Sequence, residues 1–75
     1  MDILRLENLA REYLNRAQEN IDSDGKYRTK ILNAAYNMGK YHAIGDLIFD
    51  IDAVTFRDFV ENTKGQADRI IKYIS

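Results

Sequence analysis

The 75-residue chain has no cysteine, no proline, no tryptophan and a single histidine. Without cysteine there are neither disulfides nor thiolate ligands, and one histidine leaves little for a zinc site. Without proline, no helix has to stop or kink for want of a backbone N–H. The only serines, Ser23 and Ser75, fall in a turn-forming stretch and at the last position, and no glycine-rich loop is present to grip a phosphate. A general base needs a nucleophile, an orienting group and a pocket. His42 and Asp46, four apart on one helix face, could share a hydrogen bond, but no Cys or suitably placed Ser accompanies them and three short helices enclose little volume. These gaps predict a protein that is not an enzyme and takes no cofactor. No apolar run is long enough to span a bilayer, and Asp2 and Arg5 flank Ile3 and Leu4 where a signal peptide would need an apolar segment. The expected setting is cytoplasmic, away from the membrane.

What remains is 45% hydrophobic and almost neutral, with a formal charge of −1. A chain of this length is one domain, 1–75, and buries only about 60% of its unfolded surface. Periodicity predicts an all-α fold, a small three-helix bundle with helices over about 2–21, 25–49 and 53–74. In the first helix Ile3, Leu6, Ala10, Tyr13, Leu14, Ala17 and Ile21 form one stripe, with Asp2 placed to cap its start. Asp22-Ser23-Asp24-Gly25 is a turn, and Ser23 or Asp24 can cap the second helix. Asp50-Ile51-Asp52 is a short connection, with Asp52 capping the third. That helix carries Phe56, Phe59, Val60, Thr63, Ala67, Ile70, Ile71 and Ile74 on one face and Gly65 on the other.

The central helix differs from its neighbours. One strip holds Ile31, Ala34, Met38, Tyr41, Gly45 and Ile48. A second holds Leu32, Tyr36, Ala43 and Leu47. Only Asn33, Asn37 and Lys40 form a polar strip. Two apolar strips predict a helix packed on more than one side. Ala35, Gly39 and Ala43 recur every fourth residue, and a helical glycine costs about 0.8–1 kcal/mol relative to alanine. Close approach of another helix is the physical reason for such a line. A helix of the same chain is the simpler occupant; a second copy is the other.

Charge is segregated. Residues 25–43 hold Lys26, Arg28, Lys30 and Lys40 and no acid, whereas 44–62 hold Asp46, Asp50, Asp52, Asp58 and Glu61 against Arg57 alone. The central helix is thus basic at its start and acidic at its end, opposite to the preference of the helix dipole. An antiparallel first helix partly offsets this by bringing Glu19, Asp22 and Asp24 beside Lys26 and Arg28. Two central helices crossing antiparallel about a two-fold axis would join basic ends to acidic ends. A homodimer through Ala35, Met38, Gly39, His42, Ala43 and Asp46 is therefore expected, against the alternative that these charges are simply solvated.

Two motif readings weaken on inspection. Asn20-x-Asp22-x-Asp24-Gly25 matches the first half of an EF-hand loop, but Ile31 stands where the bidentate Glu belongs and three cations follow. Ala35 and Gly39 have the spacing of a DNA-binding helix-turn-helix, but the recognition helix would then carry Asp46 and Asp50 toward phosphates. Five tyrosines exceed what a small core hides, and Tyr27 and Tyr36 are least accounted for by the core stripes.

These features predict a protein-interaction module. The expected partner is a host or cognate protein, bound through Tyr27, Tyr36, Lys40, Asp46, Asp50 and Asp58. The acidic end is suited to a nucleic-acid-binding groove, so that the host protein would be inhibited or redirected. Richness in Ile, Asn, Tyr and Lys suits an AT-rich phage or mobile-element gene. Nucleic acid bound by the Lys26–Lys40 patch, or service as a structural subunit of a larger assembly, are the alternatives.

Overall fold

The computed structural model describes residues 2–75, which form three helices and no strand: α1 (Ile3–Asp22), α2 (Tyr27–Ile51) and α3 (Ala53–Ile74). Asp2 caps α1 as its position predicts, its carboxylate accepting from the Leu4 N–H at 3.0 Å. At the other end Ser23 turns back, its hydroxyl donating to the Asn20 carbonyl at 2.7 Å. It therefore finishes α1 and does not start α2.

The expected start of α2 at residue 25 is too early. Gly25 has φ +153°, a conformation that side-chained residues rarely adopt, and the chain enters the helix only after Lys26. Lys26 holds the N-cap position without a side-chain bond, so neither Ser23 nor Asp24 caps this helix.

The join between α2 and α3 is tighter than expected. α2 runs on to Ile51, and Asp52 alone separates the two helices. Its N–H donates to the Ile48 carbonyl at 2.8 Å and its carbonyl accepts from the Phe56 N–H at 3.0 Å. Its carboxylate accepts from the N–H groups of Val54 at 3.0 Å and Thr55 at 3.3 Å. One residue thereby ends one helix and begins the next. Hydrogen bonds from the Thr55 backbone and side chain, with a smaller share from Val54, hold the Asp52 carboxyl below its ordinary pKa.

The first and second helices are antiparallel and pack more extensively than either does with α3. α3 returns beside α2, as the pairs Tyr27–Tyr73, Tyr41–Thr63 and Phe49–Phe56 show. The bundle measures 39 × 20 × 14 Å.

Its core takes one strip from each helix. α1 contributes Leu6, Ala10, Leu14 and Ala17, and α3 contributes Phe59, Thr63, Ala67 and Ile70. α2 contributes Ala34, Met38, Tyr41, Ile44, Gly45 and Ile48. Phe59, Leu14, Ile48 and Ile70 are the largest of the fully buried side chains. Inside, the Thr63 hydroxyl donates to the Phe59 carbonyl at 2.9 Å and pairs with the Tyr41 hydroxyl, whereas Gln18 Oε1 is buried without a partner among the described residues.

Two amide contacts link the helices laterally. Those of Asn20 and Asn37 meet at 2.7 Å between α1 and α2, and Gln66 Nε2 donates to Asn15 Oδ1 at 3.1 Å between α3 and α1. Asn37 therefore belongs to a helix contact and not to the solvated strip where periodicity put it.

Candidate interaction surface

The second apolar strip of α2 finds no partner among the described residues. Leu32 is 61% exposed, Tyr36 64% and Leu47 47%, with Ala35, Gly39 and Ala43 exposed between them. Apart from the adjacent pair Ala35 and Tyr36, successive members stand three or four residues apart, so they make one continuous face directly opposite the core. The expectation that α2 is packed on two sides within this chain is overturned. A three-helix bundle supplies only two neighbours for α2, and both lie on its core side.

The small residues correct the simpler occupant as well. A Cβ added at Gly39 would meet nothing within 4 Å, so no helix of this chain exploits that gap. The alanines buried in the core are Ala10, Ala17, Ala34 and Ala67. Gly45 is the glycine that faces a neighbour, its hypothetical Cβ lying 3.5 Å from the Phe56 ring.

Of the residues expected at a dimer seam, Ala35, Gly39, His42, Ala43 and Asp46 are exposed. Met38 is not: it is 3% exposed and packed in the core, one strip away from the outer face.

The reversed charge gradient of α2 is also left without answer inside the chain. Among the described residues the ion pairs are Arg16–Glu12 at 2.6 Å and Arg57–Asp58 at 3.3 Å, both exposed and both within a single helix. Among the described residues no direct ion pair joins Glu19, Asp22 or Asp24 to Lys26 or Arg28, and Asp22 accepts from Gln18 Nε2 at 3.1 and 3.2 Å. The ammonium of Lys40 lies 5.4 Å from the Tyr36 ring centroid, a cation–π contact within α2.

The six residues expected to bind a partner are all exposed, but they do not form one patch. Tyr27 sits at the basic end with its ring 5.7 Å from that of Tyr73, Tyr36 and Lys40 lie midway, and Asp50 and Asp58 belong to the opposite end.

At that opposite end lies a feature absent from the sequence reading. Phe49, Ile51 and Val54, each more than half exposed, stand around the Asp52 corner among Asp46, Asp50, Asp52 and Asp58. Phe49 is steadied edge-on against the Phe56 ring, with centroids 5.3 Å apart. The signal was the interleaving of apolar and acidic residues over 46–54, which reads as a mere connection when the helix is ended at Phe49.

A groove of about 250 Å³ runs between α2 and α3, its lining including Tyr41, His42, Asp46, Phe56, Lys64 and Asp68. His42 packs its ring at 5.3 Å from that of Tyr41. Residues 35 to 45 lie within one continuous helix, so the helix-turn-helix spacing corresponds to no turn. Asn20 and Asp22 lie within α1, with the Asn20 side chain bonded to Asn37 and that of Asp22 to Gln18. Among the described residues no helix is long and apolar enough to cross a membrane. Comparison with family models, curated proteins and solved structures gives no significant match.

Proposed function

We propose that this protein is a non-enzymatic helical interaction module. It pairs with itself through the outer face of α2 and binds another protein through the acidic, apolar corner between α2 and α3. One observation carries this reading. Seven of the ten large hydrophobic residues exposed on the described chain fall between positions 27 and 54: Tyr27, Leu32, Tyr36, Leu47, Phe49, Ile51 and Val54. Exposed apolar side chains scattered singly need no explanation, whereas the grouping of Leu32, Tyr36 and Leu47 on the outer face of α2, and of Phe49, Ile51 and Val54 around an acidic corner, supports two binding surfaces.

The corner has the make-up of an interface anchor. A large ring held in place by its neighbour is pre-ordered for insertion into a pocket, and the surrounding carboxylates give orientation and on-rate. The complementary partner has an apolar pocket with a cationic rim. A groove that ordinarily receives nucleic acid supplies such a rim, so the partner class we propose is a nucleic-acid-handling host protein. Occupying its groove would inhibit or redirect it, a role suited to a phage or mobile-element product acting inside the host cell.

Capture from host-cell lysate tests the reading, with wild type compared against Phe49→Ala/Val54→Ser under nuclease treatment. One protein recovered in fixed ratio by wild type, weakened by salt and lost with the variant, is the expected result. Nucleic acid recovered in its place, and released at moderate salt, would contradict it and make Lys26, Arg28, Lys30 and Lys40 the working surface.

A further inference from the structure

The outer face of α2 is self-complementary in one arrangement, and this deepens the self-pairing proposed above, on which it rests. We infer that two copies join with their α2 helices antiparallel and the two-fold axis at Gly39, so that Arg28 of each copy meets Asp50 of the other. Three observations converge on this register. The face is apolar and small at its middle, where Gly39 leaves open space for a second backbone. It carries a larger apolar residue on each side, Leu32 seven residues before Gly39 and Leu47 eight after. It ends in opposite charges that have no ion-pair partner among the described residues, Arg28 eleven residues before Gly39 and Asp50 eleven after.

Antiparallel pairing about Gly39 matches the small middle and the charged ends. Gly39 lies against Gly39 of the second copy, Ala35 against Ala43 and Arg28 against Asp50, while Leu32 falls opposite Asp46 with Leu47 one residue away. The other arrangements fail on the same residues. Sliding one copy by four residues, about one turn, leaves Asp50 without its cation: in one direction it meets Leu32, and in the other Arg28 moves to Asp46 while Asp50 falls opposite Asp24. A parallel pair stacks Arg28 on Arg28 and Asp50 on Asp50. Lys40 is the cation nearest the axis, and its place over the Tyr36 ring draws its ammonium along its own helix. The two-fold relation makes the interface isologous, so each pairing occurs twice and every substitution acts twice.

The charge ends give the test. Arg28→Asp, Asp50→Arg and the double exchange are compared with wild type by sedimentation over a wide concentration range, with circular dichroism confirming the helices. Both positions are exposed, so the monomer fold tolerates these changes. Each single reversal places two like-charge pairs in the interface and should weaken association roughly tenfold or more. The double exchange should restore it.

Because the chain contains no cysteine, crosslinking reads the register independently. Oxidising a mixture of Leu32→Cys and Leu47→Cys chains should give chiefly the mixed disulfide. A wild type that dimerises, with reversals that have no effect or Leu32→Cys chains that crosslink mainly to themselves, would overturn the register while leaving self-pairing intact. A wild type that stays monomeric throughout would overturn both.

Discussion

Asp52 is the only residue between α2 and α3, and replacing it by alanine isolates what one side chain does at that corner. Its carboxylate holds the N–H groups of Val54 and Thr55, two of the four that the start of any helix leaves unpaired. Its backbone N–H closes the last turn of α2 on Ile48, and alanine retains that bond. The loss is therefore that of one N-cap, about 1 kcal/mol. In a domain of this size such a loss lowers the melting temperature by about 4–8 °C. Asn at the same position keeps an acceptor and should cost little at neutral pH. The Asp52 pKa is lowered from 3.8, by the Thr55 bonds first, so its ionised form is the one stabilised by folding. Its contribution is then complete above the unfolded value and fades as pH falls through the lower folded one. Thermal unfolding followed by circular dichroism should show a gap between wild type and Asp52→Ala at neutral pH that narrows in strong acid. Equal stability at neutral pH, or a gap that widens on acidification, would refute the double-cap reading.

Other substitutions probe the remaining links. Gly65 is exposed in the middle of α3 with open space around its Cα, so Gly65→Ala should stabilise by about 0.8–1 kcal/mol in urea unfolding. Gly25→Ala should do the reverse, because φ of +153° is strained for any side chain, and a stability unchanged by it would contradict the turn geometry. Tyr41→Phe removes a buried hydroxyl but leaves Thr63 bonded to the Phe59 carbonyl, which predicts a loss of about 1 kcal/mol in the same assay. Ala43→Leu changes only an exposed position, so it should leave the monomer's stability almost unchanged while abolishing association in sedimentation experiments.

How much of this was legible in the sequence depends on what each signal encodes. Apolar spacing identified the core faces of α1 and α3 because each helix has one neighbour-facing side and a polar outside. Asp2 and Asp52 were recognisable as caps because a short carboxylate immediately before an apolar-periodic run has few other uses. The start of α2 was less accessible. Asp24 is as good a cap by composition, and only the backbone twist at Gly25 denies it the position. The end of α2 was misplaced because Asp50-Ile51-Asp52 resembles a connection, although Ile51 continues the helix and Asp52 alone suffices to stop it. That error hid the corner formed by Phe49, Ile51 and Val54.

The outer strip of α2 shows a different limit. Periodicity reports that Leu32, Tyr36, Ala43 and Leu47 share a face, but not whether another helix covers it. Three helices provide two neighbours for α2, and both were already taken up by the strip containing Met38 and Tyr41. The same accounting displaced Met38 from the expected seam, since a residue three or four positions from Ala34 and Tyr41 must face the core with them.

The central claim is that this uncovered face of α2 pairs with its own copy. Equilibrium sedimentation of the wild-type protein from micromolar to millimolar concentration tests it most directly. A single helix face buries modest apolar area, and association itself carries a cost of about 4–15 kcal/mol, so the dimer should be weak and should dissociate on dilution. A reversible monomer–dimer equilibrium that Ala43→Leu eliminates is the predicted result. A wild-type chain that remains monomeric at millimolar concentration would contradict it.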